Sequence, residues 1–511
     1  MRSDAHAVCG RGTHCVGRLF FAVFVLLLVA ACRGHPVTTE PTASPPPNTA
    51  LVGAAAQTME GFGASGAWWP NDLVDFAPAV QQRVADLLFT SGGIGLSVYR
   101  YNIGGGGVGV NNPTRAPATF LVRPGHYDWS RDPGGMLFLR AARDRKVPIL
   151  LGFANSAPPP WTTNGQSCGG KLTPGAEVAY ATYLADIVAH LRVSEGITLS
   201  YVSPMNEPDS TFASCGQEGM QVPVDQRATL INALAVALDR RTPFARGIAD
   251  ESNKTSDISA NGPQWLGSND AAQHIAAIAH HTYDYPDDTT LRAAAQVGVR
   301  FGKPLWMTEI CCYNGSSFGA NYDPTMTSGL WLANAIWQDL TQANDAAFHW
   351  WVALSSAIGC SPATHPGCAA MTNGSGWNDG LLYYDPDFRR NGNQTIYFTN
   401  RYWVFGNFSR YVRPGAVRYA VDNAPEHVRL LAFTQNGAWT LIAINNASTG
   451  SDPKALRLRF PIGAARLRIT GAYATSVAHD LAPVALPAFT ANGTLTAMLP
   501  SQSVTTILLQ P

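Results

Sequence analysis

Short apolar runs alternate with amphipathic stretches along most of the chain. The runs read GFGASGAW from Gly61, LSVYRYNIG from Leu96, VPILLGFAN from Val147, ITLSYVSPMNEP from Ile197, FARGIADES from Phe244, AIAHHTYDY from Ala277, KPLWMTEI from Lys303 and AFHWWVAL from Ala347. Between them, segments such as PAVQQRVADLLF and VDQRATLINALAVALDR space apolar residues three and four apart, which puts them on one helical face. Eight strand-then-helix units over about 350 residues predict an α/β fold, a (β/α)8 TIM barrel with long loops over residues 51–410. A doubly wound open sheet is the competing arrangement.

Past Phe408 the period falls from 3.6 to 2. In KALRLRFP, Leu456, Leu458 and Phe460 alternate with Arg457 and Arg459, and Asn436-Gly437 is a hairpin turn signal between two strand-like runs. Residues 411–511 are therefore expected as an all-β sandwich domain. Residues 51–59 have no helix of their own, so this first strand can join that domain.

The N-terminus has a different pattern. Arg2, Arg11 and Arg18 precede an uninterrupted apolar run from Leu19 to Ala31, of signal-peptide length but short of a bilayer span. Residues 1–31 are expected to be an export signal. The run ends Val29-Ala30-Ala31-Cys32, which resembles a bacterial lipobox, so Cys32 is the candidate lipidation site; the alternative is a Cys discarded with the signal. Residues 32–50 are Pro/Thr-rich and aperiodic, as a solvated spacer behind an anchor would be. The expected location is outside the cytoplasm, at the cell surface or in the periplasm if Cys32 is lipidated and secreted otherwise.

Composition narrows the partners. Lys+Arg and Asp+Glu are both 35, so no global positive field draws nucleic acid or anionic membrane, and contact with a membrane is expected only through a lipid anchor. Nine Cys are present; setting aside Cys9, Cys15 and Cys32 leaves an even set of six, which suits an oxidising compartment. Only Cys360 and Cys368, closing CSPATHPGC, are suggested as a pair by closeness in sequence. No CxxC occurs, and His280 and His281 face opposite sides of a strand, so neither metal nor cofactor is expected.

In a barrel the chemistry sits at the C-terminal ends of the strands. Glu207 in SPMNEP ends the fourth run and Glu309 in LWMTEI the seventh. A lone strand-end Glu is more often an ion-paired group than a catalyst, but two that open on one cleft are what glycosidic cleavage requires: an acid for the leaving oxygen and a carboxylate opposite. His281 and Tyr283 share a side of the sixth run, and Arg100 ends the second, placed either to hold a carboxylate or to form a structural ion pair. Trp68, Trp69, Trp161, Trp350 and Trp351 lie near strand ends, where aromatic faces suit sugar C–H faces, although only one of Trp350 and Trp351 can face inward.

Two other motifs do not fit their usual chemistry. Gly104 to Gly109 satisfies GxGxxG, but VNNPTRAP follows where a helix should open, so it reads as a loop close to ligand. Gly315 to Gly319 satisfies GxSxG, yet no helix follows Ser317, which makes an esterase the weaker enzyme reading.

From GFG through YRYNIGG, SAPPPWTTNG, MNEP, HHTYDY and TEI to the closing LPSQSVTTILL, the chain resembles glycoside hydrolase family 30, a family of retaining barrels. The resemblance implies Glu207 as acid/base, Glu309 as nucleophile, Asn206 as the group on the sugar 2-hydroxyl, and Arg100, His281 and Tyr283 as their support; of the strand-end aromatics, Trp68, Trp161 and Trp351 are the candidate sugar contacts. GASGAWW and YRYNIGGGG look most like endo-β-1,6-galactanases, which implies action on arabinogalactan side chains; a monomer is expected. The alternatives are a β-1,6-glucanase, a xylanase or a glucosylceramidase-like enzyme of the same family. Trp68 stands where glucosylceramidases place a sugar-binding Asp, which speaks against the last. A non-catalytic glycan-binding surface lipoprotein is the reading from another class, and retention of both glutamates argues against it.

Overall fold

A computed structural model describes residues 49–313, 320–460 and 467–511. The signal, Cys32 and most of the spacer lie outside the described residues, as does Ser317. The described residues fall within one compact unit, 47–511.

Eight parallel strands close into a barrel: Gly61–Ser65, Val98–Ile103, Ile149–Ala154, Tyr201–Ser203, Arg246–Ser252, Ile275–His281, Leu305–Glu309 and Ala347–Ser355. They follow sequence order around the ring, and the seventh pairs with the eighth, which pairs with the first. Closure separates this fold from an open sheet. The second and third strands are buried at every position, which explains their runs without alternation. Two helices between strands, Glu177–Glu195 and Asp288–Phe301, end on Gly196 and Gly302 at φ 65° and 64°, the left-handed turn that lets the chain reverse toward the next strand.

The lower interior of the barrel is apolar, with Val98, Ile149, Leu151, Ile248, Ala277, Ala279 and Trp306 in one cluster. Two residues further along their strands, Val98 gives way to Arg100, Ala279 to His281 and Trp306 to Thr308. Period 2 keeps all of these on the same face, so the barrel turns polar toward its C-terminal mouth.

The C-terminal strands form one continuous ten-stranded sheet that includes Ala50–Thr58, paired with Val417–Asp422 and Lys454–Arg459. Strand alternation divides its faces. Leu430, Ala432, Leu441 and Ala443 pack in the domain's own core, together with Leu456 and Leu495 from the other end of the strand order, so the sheet curls around that core. Leu431, Phe433, Ile442 and Ile444 point the other way and join the barrel's core. Asn407 on the helix Asn400–Ser409 donates to Thr475 Oγ1 at 2.6 Å across this contact.

Candidate active site

Glu309 is the last residue of the seventh strand, and Glu207 lies four residues past the fourth, at φ 47°. The Glu207 amide donates to the Glu251 carbonyl at 2.9 Å, which ties this turn to the fifth strand. Carboxylate oxygens of Glu207 and Glu309 and a ring nitrogen of His281 all lie within 4.8 Å of one another.

Each carboxylate has its own set of partners. Arg100, fully buried, donates from Nη1 to Glu309 Oε2 at 2.6 Å and to Ser65 Oγ at 3.1 Å, and from Nη2 to Asn206 Oδ1 at 2.9 Å. Tyr283 donates its hydroxyl to Glu309 Oε1 at 3.1 Å. Asn253 donates to Glu207 Oε1 at 2.6 Å, and His281 Nδ1 lies 3.1 Å from the same oxygen. Glu207 keeps some exposure, 12% of its side chain against 5% for Glu309. One carboxylate is thus clamped by a guanidinium and a phenol, and the other is held by an amide and an imidazole ring, closer to solvent.

The residue that organises this cluster is Glu251, within the fifth strand. Its Oε2 accepts from Thr308, lies 3.1 Å from His281 Nε2 and pairs with Arg100 at 3.4 Å. Burial alone would raise its carboxyl, but Arg100 and His281 override burial and bring it to about 2. Burial likewise disfavours the charged form of His281, yet Glu309, Glu207 and Glu251 surround the ring and pull it up to about 9. The ring is therefore imidazolium at neutral pH and donates to Glu207 and Glu251. Glu309 is pushed up by burial and by the Glu207 charge, against His281 and Arg100, which favour its ionised form. Glu207, His281 and Glu309 are close enough to share a cation, and the His281 ring sets Nδ1 against Glu207 and Nε2 against Glu251, the geometry of a ring that holds a proton between carboxylates.

Above these groups opens a cleft of about 670 Å³ lined by Trp68, Trp351, Trp377, Arg115, Gln217 and Asp379, with Asn253, Tyr283, Cys311 and Cys312 beside the two glutamates. Trp68 and Trp351 meet edge to face at 5.0 Å, and the Arg115 guanidinium lies 4.7 Å over the Trp68 ring. Trp350 turns away and donates to the Asp379 carbonyl at 2.6 Å. The arrangement offers hydrogen-bonding groups at its floor and aromatic faces on its walls, the composition of a carbohydrate cleft.

Residues 50–358 match the model of O-glycosyl hydrolase family 30. The chain belongs to that family.

This glycosidase is 25% identical to glucuronoxylanase XynC of Bacillus subtilis over 351 residues, 68% of this chain and 69% of the other. Among solved structures, a conserved exported protein of Bacteroides fragilis matches its fold with TM-score 0.74 at 22% identity, over 90% of this chain and 100% of the other. The catalytic domain of GH30 xylanase C from Talaromyces cellulolyticus matches with TM-score 0.69 at 24% identity, over 91% and 100%. An endo-β-1,6-glucanase matches with TM-score 0.68 at 16% identity, over 91% and 94%.

Of the residues singled out from the sequence, Glu207, Glu309, Asn206, Arg100, His281 and Tyr283 come together, and Trp68 and Trp351 reach the cleft. Trp161 does not. It is buried in the turn Pro159–Trp161, its ring 6.1 Å from Tyr180 and 5.5 Å from Tyr183, and is not among the residues lining the cleft. A short helical turn after the third strand swings the indole back onto the helix Glu177–Glu195. The glycine loop is also differently occupied: Gly105 and Gly107 donate to the buried carboxyl group of Glu218 at 3.0 and 2.8 Å, so those amides serve an internal side chain. Burial pushes Glu218 up to about 8.

Glu251 and Asn253 escaped the sequence reading although IADESN ends a strand, the same signal that marked Glu207 and Glu309. Trp377 ends a short strand, Asn373–Trp377, beyond the eighth barrel strand, and Asp379 sits in the turn that follows; NGSGWND has no apolar periodicity to point at either. Cysteines join as Cys360–Cys368, Cys168–Cys215 and Cys311–Cys312.

Proposed function

We propose that this glycosidase works by double displacement with retention, Glu309 as nucleophile and Glu207 as acid/base, on a β-1,6-linked galactan such as arabinogalactan side chains. The observation that carries the mechanism is the pair of carboxylates across one cleft with facing oxygens within 4.8 Å, a close approach that favours direct attack, for which carboxyl groups stand about 5–5.5 Å apart. Glu309 attacks the anomeric carbon while Glu207 gives its proton to the departing glycosidic oxygen. Glu207, now a carboxylate, takes a proton from water, and that water releases the sugar from Glu309. Arg100 and Tyr283 keep Glu309 aimed through both steps. His281 and Asn253 orient Glu207, and Asn206, held by Arg100, faces the sugar 2-hydroxyl.

Two things support galactan: the resemblance of GASGAWW and YRYNIGGGG to endo-β-1,6-galactanases, and an open cleft walled by Trp68, Trp351 and Trp377 that can stack successive sugars. A second reading, a xylan or β-1,6-glucan substrate, is favoured by the relation to glucuronoxylanase XynC and the shared fold with an endo-β-1,6-glucanase. The deciding experiment incubates the protein with de-arabinosylated arabinogalactan, β-1,6-glucan and glucuronoxylan and follows the first product by NMR. Oligosaccharides from the galactan with unchanged anomeric configuration are expected. Product from glucan or xylan alone overturns the substrate, and an inverted product overturns the roles of the two glutamates.

Export and anchoring through Cys32 belong to the same proposal. No helix among the described residues is long and apolar enough to cross a membrane, and the Bacteroides fragilis protein of similar fold is named as exported.

A further inference from the structure

We propose that the disulfide ring made by the adjacent residues Cys311 and Cys312 is a substrate-contacting surface, a rigid apolar patch that takes a C–H face of the sugar lying against Glu309. The proposal rests on the reading of this cleft as the place where the glycan is cut, and it adds a contact that no aromatic side chain supplies.

Position comes first. The ring begins two residues after Glu309, and both cysteines line the same cleft as Glu207, Glu309, Trp351 and Trp377. They are otherwise nearly enclosed, 1% and 4% exposed, so the little surface they keep opens on that cleft. The ring is also held firmly. Tyr285 donates to the Cys311 carbonyl at 3.0 Å, the Trp351 amide donates to the Ile310 carbonyl at 3.0 Å, and the Tyr283 hydroxyl lies 3.7 Å from Cys311 Sγ while it donates to Glu309. Cys312 sits at φ 66°, in the left-handed region.

Stabilisation of the fold is a poor explanation for this bond. A disulfide stabilises chiefly by closing a loop of the unfolded chain, and one between neighbours closes none. Cys168–Cys215 and Cys360–Cys368, separated by 47 and 8 residues, do that work. What the neighbouring pair provides is surface chemistry. Two thiols that would bring S–H donors and rotatable side chains are replaced by polarisable sulfur with no donor and no rotamer to freeze on binding. Around it, Glu207, Asn253, Glu309 and Tyr283 meet hydroxyl groups. A pyranose has both kinds of surface, and the ring covers the kind those residues cannot.

The test compares two double variants, Cys311→Ala with Cys312→Ala and Cys311→Ser with Cys312→Ser, leaving the other disulfides intact. KM and kcat are measured on whichever of the three polymers the wild-type protein cuts, so a wrong substrate assignment leaves the ring's test unchanged. The alanine pair is expected to raise KM about fourfold, the loss of roughly one methylene-sized contact. The serine pair should raise it further, because its hydroxyls must be dehydrated against a C–H face. Unchanged KM in both variants overturns the proposal, as does an equal effect of Ala and Ser confined to kcat, the signature of a staple that only holds Glu309 in place. Should neither variant fold, a crystal structure of Glu309→Gln with bound oligosaccharide decides: a sugar carbon within about 4 Å of either sulfur supports the contact, and none within that distance overturns it.

Discussion

Arg100 Nη1 donates to Glu309 Oε2 at 2.6 Å, an ion pair between the second and seventh barrel strands that spans 209 residues of sequence. The same guanidinium reaches Asn206 through its other terminal nitrogen, so one planar group sets both the proposed nucleophile and the residue before the proposed acid/base.

Lysine cannot copy that fork. Arg100→Lys is expected to lower kcat about a hundredfold, because a misplacement near 1 Å at the reacting carboxylate costs that much, with a smaller change in KM. Glu309→Gly should lose hydrolysis by several orders of magnitude and recover part of it with azide, which enters the space of the missing nucleophile. Failure of azide to rescue, with the variant folded, removes Glu309 from that role.

His281 and Glu251 set the pH range of the site. His281 is raised from 6.5 to about 9, so the stability it contributes is complete below 6.5 and is lost as pH rises through 9. Glu251 is lowered from 4.5 to about 2, so its contribution is complete above 4.5 and is lost as pH falls through 2. The difference in melting temperature between wild type and His281→Asn should be widest between pH 4.5 and 6.5 and narrow toward pH 9. A difference that stays constant through pH 9 takes the imidazolium out of the account.

The two tryptophans are equally buried and should separate in KM rather than in stability. Trp351→Ala, at the cleft wall, is expected to raise KM for polymer several-fold as well as to lower stability. Trp161→Ala, inside the core, is expected to cost about 3–5 kcal/mol in unfolding free energy. Chemical denaturation and steady-state kinetics on the two variants check this, and a glycan-binding defect in a fully stable Trp161→Ala would return that residue to the cleft.

Cys168–Cys215 closes a loop whose Cys215 carbonyl accepts from the Asn111 amide and whose neighbour Gln217 lines the cleft. Replacing both cysteines with Ser should cost about 2–4 kcal/mol by the loop-closure argument and raise KM as the cleft wall loosens. Calorimetry showing no loss would mean that packing alone holds the loop.

At the N-terminus, Cys32→Ser is expected to release the protein from membranes into the soluble exported fraction. If wild type and variant partition identically, Cys32 is no anchor.

Hydrophobic periodicity determined much of this molecule by itself. Eight apolar runs spaced by amphipathic helices specify a parallel sheet covered on both faces, because a strand buried on both faces must be apolar throughout, while closure of the eighth strand on the first decides for the barrel over an open sheet; the switch to period 2 after Phe408 marks a sheet with two unlike faces. The barrel then fixes where its strands end, so Glu207, Glu309, Arg100 and His281 could be read as neighbours although they are far apart in the chain. Orientation beyond the strand ends was a tertiary decision. Trp161 and Trp351 both follow apolar runs, yet a helical turn folds one into the core while strand alternation aims the other at the cleft. Glu251 looks like any strand-end acid until Arg100, His281 and Thr308 converge on it. The Cys311–Cys312 ring depends on a left-handed turn beside the cleft, a backbone state that spacing does not encode.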